Sequence, residues 1–89
     1  MEIKQGDHRF YIGEDTDFQA EITFVPQADT LVIDHTFVDP SLRGQGIAKQ
    51  LVDRVVAYAR SENKKILPLC SYARVVMERD KSTHDVLKQ

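Results

Sequence analysis

The sequence predicts an α+β fold: a mixed, mostly antiparallel sheet with one strand-helix-strand crossover. Three observations carry this. The first half alternates short apolar runs with turn residues, the apolar period then changes from two to about 3.6 at Gly46, and a second short apolar run follows the helical stretch.

The early runs are Arg9 to Ile12, Phe18 to Val25 and Leu31 to Val38, separated by Gly13-Glu14-Asp15-Thr16-Asp17 and Pro26-Gln27-Ala28-Asp29. They predict three antiparallel strands in a meander. In the second run Phe18, Ala20, Ile22 and Phe24 alternate with polar Gln19, Glu21 and Thr23, so one face is core and the other wet. Strict alternation in the third run groups Leu31, Ile33, His35 and Phe37 on one face and Val32, Asp34, Thr36 and Val38 on the other.

From Gly46 onward Ile47, Ala48, Leu51, Val52, Val55, Val56 and Ala59 form one stripe of an amphipathic helix of four to five turns. The run Ile66 to Cys70 is short enough for a buried strand, with Pro68 marking a local irregularity. A strand, helix and strand in this order return parallel, which sets the ends of Leu31 to Val38 and Ile66 to Cys70 on the same side of the sheet. A final helix is expected over Ser71 to Arg79 with Ser71 as cap, and Lys81 to Gln89 reads as a mobile or partly helical tail.

Eighty-nine residues with 42% apolar and 29% charged content fit one compact domain over 1–89. The single cysteine, Cys70, permits no internal disulfide and has no partners at metal-ligand spacing, so no metal site is expected. A net charge of -2 and a pI near 5.8 argue against a nucleic-acid partner, whose grip depends on clustered cations. No apolar stretch suits a membrane span or a signal peptide, so no membrane partner and a cytoplasmic location are expected, with a monomer as the default.

Between strand and helix lies Val38-Asp39-Pro40-Ser41-Leu42-Arg43-Gly44-Gln45-Gly46-Ile47-Ala48. Glycine is a poor helix former, so two glycines at a helix entrance call for an unusual dihedral or a close approach to the backbone. The first amides of a helix have no internal partners and stand at the positive end of its dipole, where they suit a phosphate or diphosphate. A tight structural turn alone would use the same residues.

Arg43-Gly44-Gln45-Gly46-Ile47-Ala48 resembles the R/Q-x-x-G-x-G/A signature of the GNAT N-acetyltransferases, and Val38-Asp39-Pro40 stands where that family carries a hydrophobic-x-Pro entry. The resemblance spans about Phe18 to Tyr72. It implies a minimal GNAT fold, with acetyl coenzyme A (acetyl-CoA) as cofactor and an unidentified amine as acceptor. By the same resemblance the amides of Arg43, Gly44, Gln45, Gly46, Ile47 and Ala48 bind the diphosphate, and Phe37 and Val38 flank the thioester. The segment Pro68-Leu69-Cys70-Ser71-Tyr72 is similar to a reduced-size acetyltransferase-like subfamily, in which elements that shape an acceptor pocket in larger members are missing.

Acetyl transfer to an amine needs a base, support for an oxyanion and a proton for the leaving thiolate. His35, on the strand feeding the turn, is the candidate base, and a core histidine with a satisfied hydrogen bond is the other reading of the same residue. Asp34 is the second choice as base. Cys70, at the end of the parallel strand, is a candidate acyl-accepting nucleophile or a wall of the thiol channel, although free cysteine more often serves as a small buried apolar group. Tyr72 stands near the family's thiolate-protonating tyrosine, where simple packing at a helix start also fits. Lys49 and Arg74 are candidates for the 3′-phosphate of coenzyme A. Three functions follow in order: an acetyl-CoA-dependent N-acetyltransferase, a module that holds coenzyme A or acyl-CoA with little or no transfer, and a small interaction domain.

Overall fold

A computed structural model describes residues 1–88. Five strands run β1 (Lys4–Gly6), β2 (Arg9–Gly13), β3 (Phe18–Gln27), β4 (Thr30–Val38) and β5 (Lys65–Pro68), with helices α1 (Ile47–Ser61) and α2 (Ser71–Arg79). The sheet order is β1-β2-β3-β4-β5; the first four strands are antiparallel neighbours and β5 joins β4 in parallel after the α1 crossover. The mixed sheet and single crossover match the expected fold class.

All seven apolar positions of the expected helical stripe are buried, and all but Ala48 join Phe10, Ile12, Ala20, Ile22, Phe24, Leu31 and Ile33 of the sheet in one core. Ala73 and Met77 of α2 complete the core beside α1. On the opposite side of the sheet Arg9 Nε stands 2.7 Å from Glu21 Oε2, an ion-pair contact without hydrogen-bond alignment, and the guanidinium lies 4.0 Å from the centre of the Tyr11 ring.

Four features depart from the sequence reading. First, β1 pairs with β2 through the two-residue turn Asp7-His8, although its residues carry no alternating apolar signal. Second, β4 loses register: Phe24 pairs with Ile33, yet Thr23 pairs with His35, so Asp34 is an extra residue on β4. The alternation therefore inverts across Asp34. Thr36 and Val38 pair with buried Ile22 and Ala20 and turn toward the helices, whereas His35 is exposed with Thr23 on the other face and does not share a face with Leu31 and Ile33.

Third, the parallel ladder ends at Pro68 rather than Cys70, because proline has no amide to continue it; the amides of Leu69 and Cys70 both turn back to the Ile33 carbonyl, at 3.0 and 3.1 Å. Cys70, not Ser71, is consequently the N-cap of α2. Fourth, the C-terminal segment takes the partly helical alternative for a single 3₁₀ turn (Lys81–Thr83) and then docks. Ile66 donates to the Val86 carbonyl at 2.6 Å, Lys88 donates to the Ile66 carbonyl at 2.8 Å, and the Val86 side chain is buried.

Candidate active site

The site begins where β5 leaves β4. Beyond Ile33 the last five residues of β4 have β3 on one edge and no strand on the other, which opens a fork at the C-terminal ends of the two parallel strands. A cavity of about 340 Å³ occupies it, lined by Thr36, Phe37, Val38, Arg43, Gly44, Ala48 and Tyr72.

The floor of this cavity is the turn into α1, and its shape follows from local bonds. The Asp39 amide is held by the Gln19 carbonyl at 2.8 Å, which fixes the exit from β4. The Asp39 carboxylate accepts from the Ser41 amide at 3.0 Å and from the Ser41 hydroxyl, capping a short 3₁₀ turn (Pro40–Leu42). Those bonds, the side-chain one foremost, hold the Asp39 carboxyl below its ordinary value. Leu42 anchors the turn in the core, and Arg43 Nε donates to the Val38 carbonyl at 3.3 Å.

Gly44 and Gly46 then take φ of +84° and +72°, the left-handed region that disfavours a side chain. A Cβ at either position would meet no atom within 4 Å, so the backbone here opens onto free space. Gly46 is the N-cap of α1, offers no side chain to the first-turn amides, and is followed by no acidic residue in that turn. The positive end of a fifteen-residue helix therefore faces the cavity with no negative group of its own.

The expected cofactor residues Phe37, Val38, Arg43, Gly44 and Ala48 all line this one space, with Gln45, Gly46 and Ile47 on the same turn. Tyr72 lines the cavity from the start of α2 and is 56% exposed. Cys70 is half-buried behind it. Burial pushes the Cys70 thiol up, yet the Thr36 hydroxyl and the amides of Ala73, Tyr72 and Thr36 more than offset this and hold it below its ordinary value. His35 stands apart on the exposed face. Lys49 is engaged by Asp53 at 2.9 Å and Asp80 at 3.5 Å, and Arg74 Nε reaches the Pro68 carbonyl at 3.4 Å. Thr36 was missed from the sequence, because the inversion at Asp34 that turns it inward leaves no trace in the hydropathy pattern.

Among the described residues no group of three or more His, Cys, Asp or Glu is arranged to hold a metal ion, and no helix is long and apolar enough to cross a membrane.

A family model described as GCN5-related N-acetyl-transferase matches residues 9–86, nearly the whole sheet and both helices. The chain belongs to the GCN5-related N-acetyltransferase family. It is an acyltransferase with a small GNAT fold. A GCN5-like protein from Staphylococcus aureus, solved in solution by NMR, is 43% identical, with 98% of this chain and 87% of that one covered at a TM-score of 0.85. A ribosomal-protein alanine N-acetyltransferase from Escherichia coli is 16% identical, covers 84% of this chain and 53% of its own, and has a TM-score of 0.65, a likeness of fold. A chain from Clostridium acetobutylicum crystallised with acetyl-CoA is 25% identical, with 80% and 54% covered at a TM-score of 0.59. The GNAT chain therefore spans about half the length of those last two. No curated protein matches it.

Proposed function

We propose that this GNAT protein transfers the acetyl group of acetyl-CoA to an amine of a small molecule or protein. The observation that carries the reading is the fork itself: an open cavity runs from an uncapped helix entrance with two left-handed glycines to the Tyr72 phenol at the start of α2. The diphosphate of acetyl-CoA fits the turn from Arg43 to Ala48, where the Arg43 amide is engaged by the Pro40 carbonyl but a dianion meets the amides that follow it and the helix dipole. The pantetheine arm then runs along Phe37 and Val38, whose free β4 edge offers backbone groups that β5 no longer uses.

Cys70 is the acyl acceptor in this reading. Its thiolate attacks the thioester carbonyl, the bond from that carbon to the coenzyme A sulfur breaks, and the departing thiolate takes a proton from Tyr72. An amine then attacks the S-acetyl carbon, Cys70 leaves as thiolate, and the amine proton returns through solvent to the Tyr72 phenolate. His35 lies on the opposite face of the sheet from the cavity and has no part in either step.

A second reading, that the chain holds coenzyme A or its acyl forms with little or no transfer, is favoured by its length of about half that of the larger GNAT enzymes it resembles in fold. Both readings expect the amides of Arg43 to Ala48 to shift on titration with acetyl-CoA. Turnover separates them. Thiol release with a panel of amines, together with a mass increase of one acetyl group on Cys70, supports transfer; a bound cofactor with neither result leaves the holding module. Amides that do not move at saturating acetyl-CoA reject both.

A further inference from the structure

Arg43 stands on the glycine turn, yet its side chain reaches back to β4. Arg43 Nε donates to the Val38 carbonyl at 3.3 Å, and both residues line the same cavity. The direction of that carbonyl follows from its own peptide unit. The bond from Val38 to Asp39 is trans, and its amide donates to the Gln19 carbonyl of β3 at 2.8 Å. Carbonyl and amide of a trans peptide point opposite ways, so the Val38 carbonyl faces the other edge of β4, the one whose pairing with β5 has ended at Ile33. Arg43 therefore occupies the last backbone acceptor on the free edge.

Little else holds the guanidinium there. Arg43 is exposed, and among the described residues it pairs with no carboxylate. The Asp39 carboxylate is taken by the Ser41 amide and hydroxyl. On one side of Arg43 the buried Leu42 anchors the turn; on the other, Gly44 opens onto free space, so the side chain can swing without moving the chain. A neutral carbonyl at 3.3 Å is a weak partner for a guanidinium. A diphosphate offers charge-assisted, bidentate bonds and takes it in preference. A thioester without phosphate offers Arg43 no replacement, and it meets an edge that is already capped.

We propose that Arg43 is a specificity-determining latch: it covers the Val38 end of the free β4 edge, and only a ligand that carries a diphosphate draws it off. The fork then selects acetyl-CoA over acyl thioesters that lack phosphate. The inference rests on the acetyl-CoA reading and adds to it a claim of opposite sign for the two kinds of ligand.

The test is titration of the native chain and of Arg43→Ala with acetyl-CoA and with S-acetylpantetheine, read from the amide shifts of isotope-labelled protein. Replacing Arg43 removes a cation from the diphosphate and the cap from the edge. Arg43→Ala accordingly binds acetyl-CoA about tenfold more weakly than the native chain does, and S-acetylpantetheine about threefold to tenfold more tightly. The shift of the Val38 carbonyl carbon also differs between the two proteins before any ligand is added, because its donor is lost. Equal, weaker or undetectable binding of S-acetylpantetheine by Arg43→Ala, while acetyl-CoA still moves the native turn, overturns the latch and leaves the cofactor reading standing. An unchanged Val38 carbonyl overturns it as well. A native turn that does not respond to saturating acetyl-CoA rejects the cofactor reading, and the latch with it. Should Arg43→Ala fail to fold, Arg43→Met, which keeps the stem and drops the donors, carries the same criteria.

Discussion

Asp34 Oδ1 accepts from Thr23 Oγ1 at 2.6 Å across the place where β3 and β4 lose register. The bond bridges the extra residue to the strand it displaces, on the exposed face. It decorates the bulge rather than causing it, because Phe24 with Ile33 on one side and Ile22 with Thr36 on the other fix which residues point inward. Asp34→Ala is therefore expected to cost about 1 kcal/mol and to leave the fold intact. Excising Asp34 removes the extra residue while Thr36 and Val38 keep their pairing with Ile22 and Ala20 and stay on the helix-facing side, so the deletion should likewise leave the fold intact at a cost of about 1 kcal/mol. Urea unfolding of the two variants checks this; a deletion far more costly than Asp34→Ala would mean that the bulge itself, and not the pairing on either side of it, sets the inward residues.

Gly46 separates backbone strain from access. Gly46→Ala forces a side chain into φ of +72° and should destabilise by about 1 to 2 kcal/mol. Asparagine visits that region far more readily, so Gly46→Asn should melt closer to the native chain. Both place atoms in the open space over the helix entrance, and each should weaken acetyl-CoA binding by about tenfold or more, the loss of one charge-assisted hydrogen bond. Calorimetric titration with acetyl-CoA reads the affinity, and native-like binding by Gly46→Asn would remove the diphosphate from this turn.

The legible and illegible parts of the molecule divide by range. The α1 stripe, the crossover and the glycine turn were readable because each depends on residues close in sequence: Ile47 to Ala59 recur at one period, and Arg43 to Ala48 combine glycines with a helix start. What escaped depends on partners far along the chain. The inversion at Asp34 is set by β3, and it overturned the face assigned to His35 and Thr36. The early end of β5 arises because Leu69 and Cys70 share one carbonyl with each other, that of Ile33, which periodicity cannot express. Strand β1 exists through main-chain pairing with β2 and has Ile3 as its nearest apolar anchor.

Asp39 gives the entrance turn an acid limit. Its folded-state carboxyl lies below the ordinary aspartate value of 3.8, first through the Ser41 hydroxyl and then through the Ser41 amide. A depressed carboxyl stabilises the fold in full above its unfolded value and loses that contribution as pH falls through the folded one. Thermal stability should accordingly be insensitive to this group from neutral pH down to about 5 and decline below the ordinary carboxylate range. In Asp39→Asn the part of the acid decline due to this residue disappears. A melting series in pH for the two proteins checks the sign; an unchanged acid limb in Asp39→Asn would show that the capping bonds do not favour the charged form.

The C-terminal segment behaves as part of the sheet, so its removal tests a structural claim. Thr83 is buried and its hydroxyl donates to the carbonyls of Met77 at 3.1 Å and Asp80 at 2.8 Å, while Arg60 of α1 holds Asp85 through Nε at 3.0 Å. The Arg60 pair is exposed and contributes little. Weight falls instead on Thr83 and on Val86, which covers the edge of β5 beside Ile66. Thr83→Val should cost about 1 kcal/mol by removing a buried hydroxyl hydrogen bond, and Val86→Ala about 1 to 2 kcal/mol by opening a small void. Ending the chain at Asp80 should cost more than either and should expose the Ile66 amide to hydrogen exchange, because its acceptor is the Val86 carbonyl. If the shortened chain melted with the native one and Ile66 remained protected, the segment would be an appendage and the edge of β5 would be stable without it.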